Sequence, residues 1–310
     1  MLAVTPTDTK DPSWMANRAA DLAAAAGLDC EVLDETALAT QGFGGLLAVG
    51  AGSARPPRLV RVSYPGAGPH VVLVGKGITY DTGGLSIKPR EGMVPMKTDM
   101  TGAAVVLATV LAAAAARVPY RVTALLPLAE NAVGSSSYRP GDVVTVRGGT
   151  TVEVTNTDAE GRIVLADALV HADLTLDPDV VVDVATLTGA ATLALGRTHG
   201  ALFTPDDALA DALTAAGERS GERVWRMPLV DDYRDALTSE LAQVRHVARD
   251  GFTGAGAITA ALFLQRFVGE RRWAHLDVAG PARASSAAHE VPEGATGFGV
   301  RVLLDWLRAG

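Results

Sequence analysis

The chain alternates between short apolar runs and longer stretches with helical spacing. Residues 71–74 form a wholly apolar, β-branched run bounded by glycine, which is typical of a buried strand. This run leads into a long, glycine-rich and charged loop at residues 75–90. The pattern predicts further strands at residues 31–33, 58–62, 121–126, 180–184 and 273–278. Residues 143–146 and 151–154 flank Gly148-Gly149 and predict a hairpin.

Helices are predicted where apolar positions recur every three to four residues. Asp11-Pro12 is a good N-cap and first-turn pair, and the alanine-rich helix that follows ends at Gly27. A second helix begins at Thr98 or Asp99 and continues through residues 103–116. The pattern predicts further helices at residues 163–172, 206–217, 231–242, 257–268 and 297–307. The glycine-rich stretch 42–52 separates the strands predicted at 31–33 and 58–62.

The alternation of strands and helices predicts the fold class. We expect an α/β protein, a three-layer α/β/α sandwich around a mixed, mostly parallel central sheet, in which the hairpin supplies the antiparallel part. With 310 residues, 48% of them hydrophobic, the chain can bury one large core. We therefore interpret residues 1–310 as a single domain.

Composition removes several classes of protein. The net charge of −8 and a pI near 5.3, with no run of Lys or Arg, argue against a nucleic-acid partner. Cys30 is the only cysteine, which fits a reducing compartment, and residues 1–20 do not resemble a secretory signal. The longest apolar run, 103–116, is too short for a bilayer core of ~30 Å and is predicted to be a buried helix. We expect a cytoplasmic protein with no membrane partner.

Two segments contain most of the candidate catalytic and metal-binding residues: 74–89 (VGKGITYDTGGLSIKP) and 156–162 (NTDAEGR). A third segment, 96–102 (MKTDMTG), lies between them. They place Asp81, Asp99, Asp158 and Glu160 at strand ends, helix starts or glycine turns, where ligands from several elements can converge. Carboxylates gathered in one pocket raise one another's pKa unless a cation is present. Two divalent ions ~3.5–4 Å apart would neutralise the carboxylates and activate a water for hydrolysis.

Segments 74–89 and 156–162 also hold three cations, Lys76, Lys88 and Arg162. Lys76 is a candidate neutral amine ligand, because a nearby metal lowers the pKa of an ammonium group. Lys88, kept protonated, is suited to stabilise the oxyanion of a tetrahedral intermediate. The planar fork of Arg162 is suited to hold an anion.

Simpler interpretations exist for each residue. Taken singly, Asp99 or Asp158 is more often a helix cap, but a cap requires no particular partner elsewhere in the chain. The chain lacks the Gly-x-x-x-x-Gly-Lys-Ser/Thr, His-Glu-x-x-His and Gly-x-Ser-x-Gly motifs, which argues against a nucleotide site, a single-zinc protease and a serine hydrolase. Most of the six histidines are interpreted as surface or packing residues.

Residues 156–169 (NTDAEGRIVLADAL) closely resemble the most diagnostic segment of the leucyl aminopeptidases, also called cytosol aminopeptidases. Residues 185–190 (ATLTGA) and 294–300 (GATGFGV) match further blocks of that family, and the resemblance extends from about Gly42 to the C-terminus. It implies a zinc-exopeptidase-like catalytic domain in which residues 1–55 are a partial N-terminal flank and the family's separate N-terminal domain is absent. Residues 239–246 and 280–285 differ from the usual segments.

The resemblance also implies a role for each site residue. One metal is expected on Lys76, Asp81, Asp99 and Glu160, and the other on Asp81, Asp158 and Glu160. Lys88 would stabilise the oxyanion, and Arg162 would hold a bicarbonate that acts as general base. The positions that match the substrate site and the pocket for the first residue are Met96, Asn156, Thr186, Leu187 and Gly189.

The implied function is a two-metal aminopeptidase that removes leucine or another apolar residue from peptides with a free N-terminal amine. Its cofactors would be two divalent cations per subunit, Zn²⁺ or Mn²⁺, with bicarbonate, and its expected assembly is a homo-hexamer. A catalytically silent assembly or regulatory homologue is the alternative, but no ligand position is substituted. A two-metal phosphoesterase would usually require histidine ligands, which these segments lack.

Overall fold

The computed structural model describes residues 1–249, 251–252 and 254–309. The α-helices are α1 (Pro12–Ala25), α2 (Glu35–Thr40), α3 (Gly44–Gly50), α4 (Arg90–Met93), α5 (Thr101–Ala116), α6 (Glu160–His171), α7 (Gly189–Leu195), α8 (Asp207–Ser220), α9 (Gly256–Gln265) and α10 (Val300–Ala309). The strands are β1 (Asp29–Leu33), β2 (Arg58–Tyr64), β3 (His70–Gly75), β4 (Gly77–Asp81), β5 (Arg121–Asn131), β6 (Val143–Thr145), β7 (Thr151–Glu153), β8 (Val180–Ala185), β9 (Gly200–Phe203), β10 (Val224–Arg226), β11 (Val244–Arg245), β12 (Arg272–Asp277), β13 (Arg283–Ala284) and β14 (Gly294–Ala295). Short 3₁₀ helices cover Leu2–Val4, Val94–Thr98 and Asp231–Leu237, and a π-helical turn covers Ala172–Leu176.

A nine-stranded central sheet organises the molecule, in the order β1-β2-β5-β3-β8-β12-β9-β10, with β4 pairing with the end of β5. Five pairs are parallel: β4–β5, β5–β3, β3–β8, β8–β12 and β9–β10. The antiparallel pairs are β1–β2, β2–β5 and β12–β9. The predicted mixed, mostly parallel sheet is therefore confirmed.

The source of the antiparallel pairing was predicted wrongly. The hairpin of β6 and β7 forms, but it belongs to a separate three-stranded sheet with β11. In each of its strands only the middle residue is fully buried, so the hairpin lacks the two apolar faces that a central strand needs.

Helices cover both faces of the central sheet. Along β3, Val71 and Leu73 pack in the core on the side of α1, α5, α8 and α10, whereas Val72 and Val74 pack in the core on the side of α3, α6 and α9. The period of two along a strand therefore serves two separate hydrophobic cores. The expected three-layer α/β/α architecture is confirmed.

Two predicted helices show how local sequence determines the elements. The Asp11 side chain accepts a hydrogen bond of 2.7 Å from the Trp14 backbone N–H, and Pro12 occupies the first turn of α1, as predicted. Within the described part of the chain, one helical run, Arg90–Ala116, is long and apolar enough to cross a membrane. Its final part is α5, which packs against β2, β3, β5 and β8 as the predicted buried helix.

Several boundaries differ from the prediction. The glycine-rich stretch 42–52 contains α3, the loop 75–90 contains β4, and α5 begins at Thr101 because the 3₁₀ turn Val94–Thr98 precedes it. The helix predicted at 231–242 is only the 3₁₀ turn Asp231–Leu237. The pattern did not predict α7, β9 or β10. These elements are short, and tertiary packing decides their conformation more than local propensity does.

Glu222 closes the N-terminus of α10. Its buried carboxylate accepts hydrogen bonds from the backbone N–H groups of Gly299, Arg301 and Val302 at 2.9, 2.9 and 3.0 Å. We expect Glu222→Ala to lower the free energy of unfolding by about 2 kcal/mol, since it leaves these donors without their charged acceptor. Urea unfolding measures the change, with exposed Glu218→Ala as the control. Equal stability of the two variants would show that the cap contributes nothing.

Candidate active site

The predicted site residues meet at the carboxyl edge of the central sheet. Lys76 directly follows β3 and Thr186 directly follows β8, and these two strands are neighbours. From β3 the chain passes through α5 to β5 on one side, whereas β8 lies on the other side of β3. In open α/β sheets, ligands bind where the strand order reverses in this way.

The acidic residues enter the same edge from other elements. Asp81 ends β4, Asp99 lies two residues before α5, and Glu160 is the first residue of α6. Asp158 precedes α6 by two residues. All four side chains therefore leave strand ends or helix starts, as the sequence predicted.

Two glycines allow these elements to approach closely. A Cβ on Gly161 would lie 2.4 Å from Cε of Lys76, so a side chain there would block the path of Lys76 to Glu160. A Cβ on Gly102 would lie 2.1 Å from the Val184 carbonyl oxygen, so only glycine permits α5 to start against β8.

Each lysine bridges two carboxylates. Lys76 Nζ lies 2.9 Å from Asp99 Oδ2 and 2.9 Å from Glu160 Oε1. Lys88 Nζ lies 2.9 Å from Asp81 Oδ2 and also contacts Asp158 Oδ1. Asp81, Asp158 and Glu160 each offer an oxygen within 4.8 Å of the others. The structure thus gathers the four predicted carboxylates and both lysines into one cluster.

The cluster is buried, and its protonation equilibria reflect this. Burial, followed by the charge of Asp81, raises the pKa of Glu160 to about 8. Burial raises the pKa of Asp99 to about 6, against the opposing charge of Lys76. Burial alone would lower the pKa of Lys76, but the carboxylates of Asp99, Glu160 and Asp81 outweigh it and hold this pKa above its ordinary value. The carboxylates therefore require nearby positive charge.

The carboxylate oxygens fit a site for divalent cations. Four of these buried atoms accept no well-directed hydrogen bond from the described residues: Asp99 Oδ2, Asp158 Oδ1, Glu160 Oε1 and Glu160 Oε2. Lysine ammonium groups approach the first three, but neither lysine contact is made to Glu160 Oε2. Buried carboxylate oxygens are normally hydrogen-bonded or metal-bound, so this donor set suits hard or borderline divalent metals.

Arg162 lies beside the cluster and is fixed from the far side. Its Nη1 donates to the backbone carbonyl of His246 at 2.6 Å, whereas its buried Nε has no hydrogen-bond acceptor among the described residues. Burial lowers the pKa of Arg162 to about 10, and Glu160 and Asp277 oppose that shift. The guanidinium remains charged at neutral pH and keeps a donor for an anion.

The sequence interpretation missed the role of His246. Its Nε2 donates to the Asn156 carbonyl at 2.8 Å, its Nδ1 accepts from the Thr155 N–H at 3.4 Å, and its backbone N–H donates to the Glu153 carbonyl at 3.3 Å. Burial lowers its pKa to about 4, so it is neutral at pH 7. His246 therefore ties the small three-stranded sheet to the segment that carries Asp158 and Glu160.

The predicted substrate-binding residues divide into two groups. Asn156, Leu187 and Gly189 line a cavity of about 200 Å³ together with Lys76, Asp158, Glu160 and Arg162. Thr186 lies beside them and donates to Asp99 Oδ1 at 2.7 Å. Met96 is half-buried in the turn that leads to Asp99, and it is not among the residues that line this cavity.

A further residue that the sequence did not reveal shapes this wall. Asp277, at the end of β12, accepts hydrogen bonds from the Leu187 backbone N–H at 3.1 Å and from the Thr188 hydroxyl at 2.6 Å. It therefore fixes the loop after β8.

A larger cavity of about 770 Å³ lies between α1, α5 and Ala295, and no predicted site residue lines it.

Comparison with known proteins identifies the family. Residues 1–304 match the catalytic domain of the cytosol aminopeptidase family. The chain belongs to the cytosol aminopeptidase family. The probable cytosol aminopeptidase of Syntrophotalea carbinolica is 48% identical over 305 residues, which cover 97% of this chain and 61% of that protein. The corresponding protein of Leifsonia xyli subsp. xyli is 54% identical, over 93% of this chain and 59% of that protein.

Solved structures agree with this membership of the cytosol aminopeptidase family. The bottromycin maturation enzyme BotP in complex with Mn superimposes with a TM-score of 0.95 and 48% identity, covering 99% of this chain and 68% of that one. The fold class is therefore shared with a manganese-bound protein. The chain spans about 60% of the length of the curated relatives.

Proposed function

We propose that this chain is a metal-dependent aminopeptidase, which removes the N-terminal residue from a peptide. The observation that carries the proposal is the group of four carboxylates at the switch point of the sheet, in a member of the cytosol aminopeptidase family. Asp81, Asp99 and Glu160 are buried, and Glu160 Oε2 has neither a hydrogen-bond donor nor a lysine contact among the described residues. A cluster of this kind serves no packing purpose, because carboxylates removed from water destabilise the fold even where lysines pair with them.

The proposed ligands follow from the cluster. Lys76, Asp81, Asp99 and Glu160 would hold one divalent cation, and Asp81, Asp158 and Glu160 the other. Lys76 would serve as a neutral amine, because a bound dication lowers the pKa of a nearby ammonium group and favours loss of its proton. When bound, two such cations polarise a peptide carbonyl and lower the pKa of water. Zn²⁺ and Mn²⁺ both suit nitrogen and oxygen ligands.

Lys88 and Arg162 would act on the reacting groups directly. Lys88 reaches the cluster from the loop after β4, where its ammonium group would stabilise the oxyanion of the tetrahedral intermediate. Arg162 would hold a bicarbonate through the Nε that lacks a protein partner. A bicarbonate held there by Arg162 would supply a general base beside the metal site.

The same cavity accounts for the restriction to N-termini. It is small and has little room for a continuing chain, and its acidic residues Asp158 and Glu160 would attract a terminal amino group. Leu187 and Gly189 line the cavity and would face the first side chain. Met96, which lies outside the cavity lining, is proposed to contact the substrate from the turn before Asp99. A leucine-like residue is accordingly the proposed preference. We also propose a cytoplasmic location and a homo-hexamer.

Hydrolysis of leucine-p-nitroanilide by the purified chain tests the proposed function. We expect cleavage only when Mn²⁺ or Zn²⁺ is present, with loss of activity on addition of chelator. The N-acetylated analogue is the matched control, and it should remain intact because its amino group is blocked. Cleavage of both substrates would contradict an aminopeptidase. No cleavage with either metal would favour the catalytically silent homologue.

A further inference from the structure

We propose that Asn131 and Thr157 are positioning residues that hold two acidic loops at the separation required by a pair of divalent cations. The Asp81 loop comprises residues 81–86, and the Asp158 loop comprises residues 156–160. The inference rests on the proposed metal site, although neither residue is a proposed ligand. Both side chains are completely buried.

Asn131 connects the two loops with a single amide group. Its Nδ2 donates to Asp81 Oδ1 at 2.8 Å and to the Thr157 carbonyl at 3.0 Å. If the Asn131 amide were turned by 180°, its Oδ1 would face Asp81 Oδ1 and the Thr157 carbonyl, which can only accept hydrogen bonds. The two acceptors therefore fix the orientation of the amide. The Asn131 backbone carbonyl also accepts from Thr82, through N at 3.0 Å and Oγ1 at 2.9 Å. Asn131 is therefore held in place while it holds Asp81.

Thr157 makes the direct connections between the loops. Its hydroxyl donates to the Gly83 carbonyl at 2.7 Å and accepts from the Ser86 N–H at 2.8 Å. Its own N–H donates to Ser86 Oγ at 3.1 Å. The buried Tyr138 hydroxyl donates to the Thr157 carbonyl at 2.9 Å, beside the bond from Asn131. The spacing of the two loops is thus fixed by a closed set of hydrogen bonds.

These hydrogen bonds fix the orientation of the Asp81 carboxylate. Its Oδ1 accepts from the Gly83 N–H at 2.8 Å as well as from Asn131, whereas its Oδ2 faces Lys88 and the acidic cluster. One oxygen anchors the carboxylate, and the other is presented to the site. Hydrogen bonds of this kind orient metal ligands, and their removal weakens metal binding.

A purely structural role explains Asn131 poorly. Its Oδ1 is buried and has no donor among the described residues, which is unfavourable for the fold. An apolar side chain of the same shape would avoid that loss. The two hydrogen bonds that Asn131 Nδ2 donates to the acidic loops offset the cost of the unpaired Oδ1.

Direct titration with Mn²⁺ tests the inference on the full chain. The variants are Asn131→Leu and Thr157→Val, which preserve shape and remove the hydrogen bonds. Thr109→Val is the matched control, because Thr109 is equally buried on α5 and, among the described residues, its hydroxyl bonds only to the Val105 carbonyl at 2.9 Å. Calorimetry gives the dissociation constant and stoichiometry, and a thermal scan without metal gives the stability of each variant.

We expect Mn²⁺ to bind about 10–100-fold more weakly to both loop variants, and with unchanged affinity to Thr109→Val. If Asn131→Leu does not fold, Thr157→Val decides the question, since it is the same substitution as the control. Loop variants that bind Mn²⁺ within twofold of the wild type would overturn the inference. So would an equal loss of affinity in Thr109→Val, because that would trace the effect to general destabilisation.

The same titration separates the inference from the proposed function. A wild-type chain that binds two Mn²⁺ ions but cleaves no peptide would contradict the aminopeptidase, while weaker binding by the loop variants would still support the inference. A wild-type chain that binds no Mn²⁺ would overturn both.

Discussion

Glu160→Gln is expected to reduce peptidase activity by more than about 100-fold and to weaken Mn²⁺ binding at both sites. Loss of a residue that only supports a metal ligand already costs about 10–100-fold, and Glu160 is proposed as a ligand of both cations. Its two oxygens are buried at the centre of the cluster and accept no well-directed hydrogen bond from the described residues. Replacement by a neutral amide removes the charge without changing the shape.

The measurement pairs initial rates on leucine-p-nitroanilide with Mn²⁺ titration. A thermal scan without metal measures the stability of Glu160→Gln, because the substitution removes one of the two charged partners of Lys76. Lost activity in a variant that is still folded would exclude misfolding as the cause. Exposed Glu218→Gln is the control. Full activity in Glu160→Gln would refute the two-metal assignment.

Lys88→Met is expected to lower kcat by about 10²–10³-fold, the range found when one oxyanion-stabilising donor is removed. Mn²⁺ affinity should be equal or higher, since the ammonium group that pairs with Asp81 and Asp158 competes with metal for their oxygens. KM should change little, because the oxyanion exists only in the transition state and the intermediate.

Steady-state kinetics at saturating Mn²⁺ separates these quantities. Lys97→Met provides the comparison, since its side chain is half-buried and makes no ion pair among the described residues. A loss of metal binding that matched the loss of kcat would reassign Lys88 to a structural role. An unchanged kcat would remove it from the mechanism.

The sequence predicted the candidate metal ligands more completely than the residues that position those ligands. Asp81, Asp99, Asp158 and Glu160 stand at glycine turns and element boundaries, which local pattern reveals. The fold class followed from alternation of strands and helices, and α1 followed from its cap. These features depend on neighbours in the chain.

The residues that were missed depend on partners distant in sequence. Asn131 contacts Asp81 across 50 positions, and His246 contacts Asn156 across 90. Asn131 ends a strand that was predicted to stop at residue 126, so the pattern gave no reason to examine it. His246 directly follows β11, a strand that was not predicted, and the hairpin that pairs with β11 was expected in the central sheet. Strand register and sheet membership are tertiary properties, and neither propensity nor periodicity encodes them.

The position of the acidic cluster between β3 and β8 bears on how the protein folds. Lys76 and Asp81 come from one half of the sheet, Asp158 and Glu160 enter only with the crossover through α6, and Thr186 arrives with β8. The proposed metal ligands span residues 76–160, and contacts this distant in sequence form late because loop closure must precede them. Capture of a fluorescence-quenching dication during refolding would therefore report the moment at which the start of α6 docks on the ends of β3 and β4.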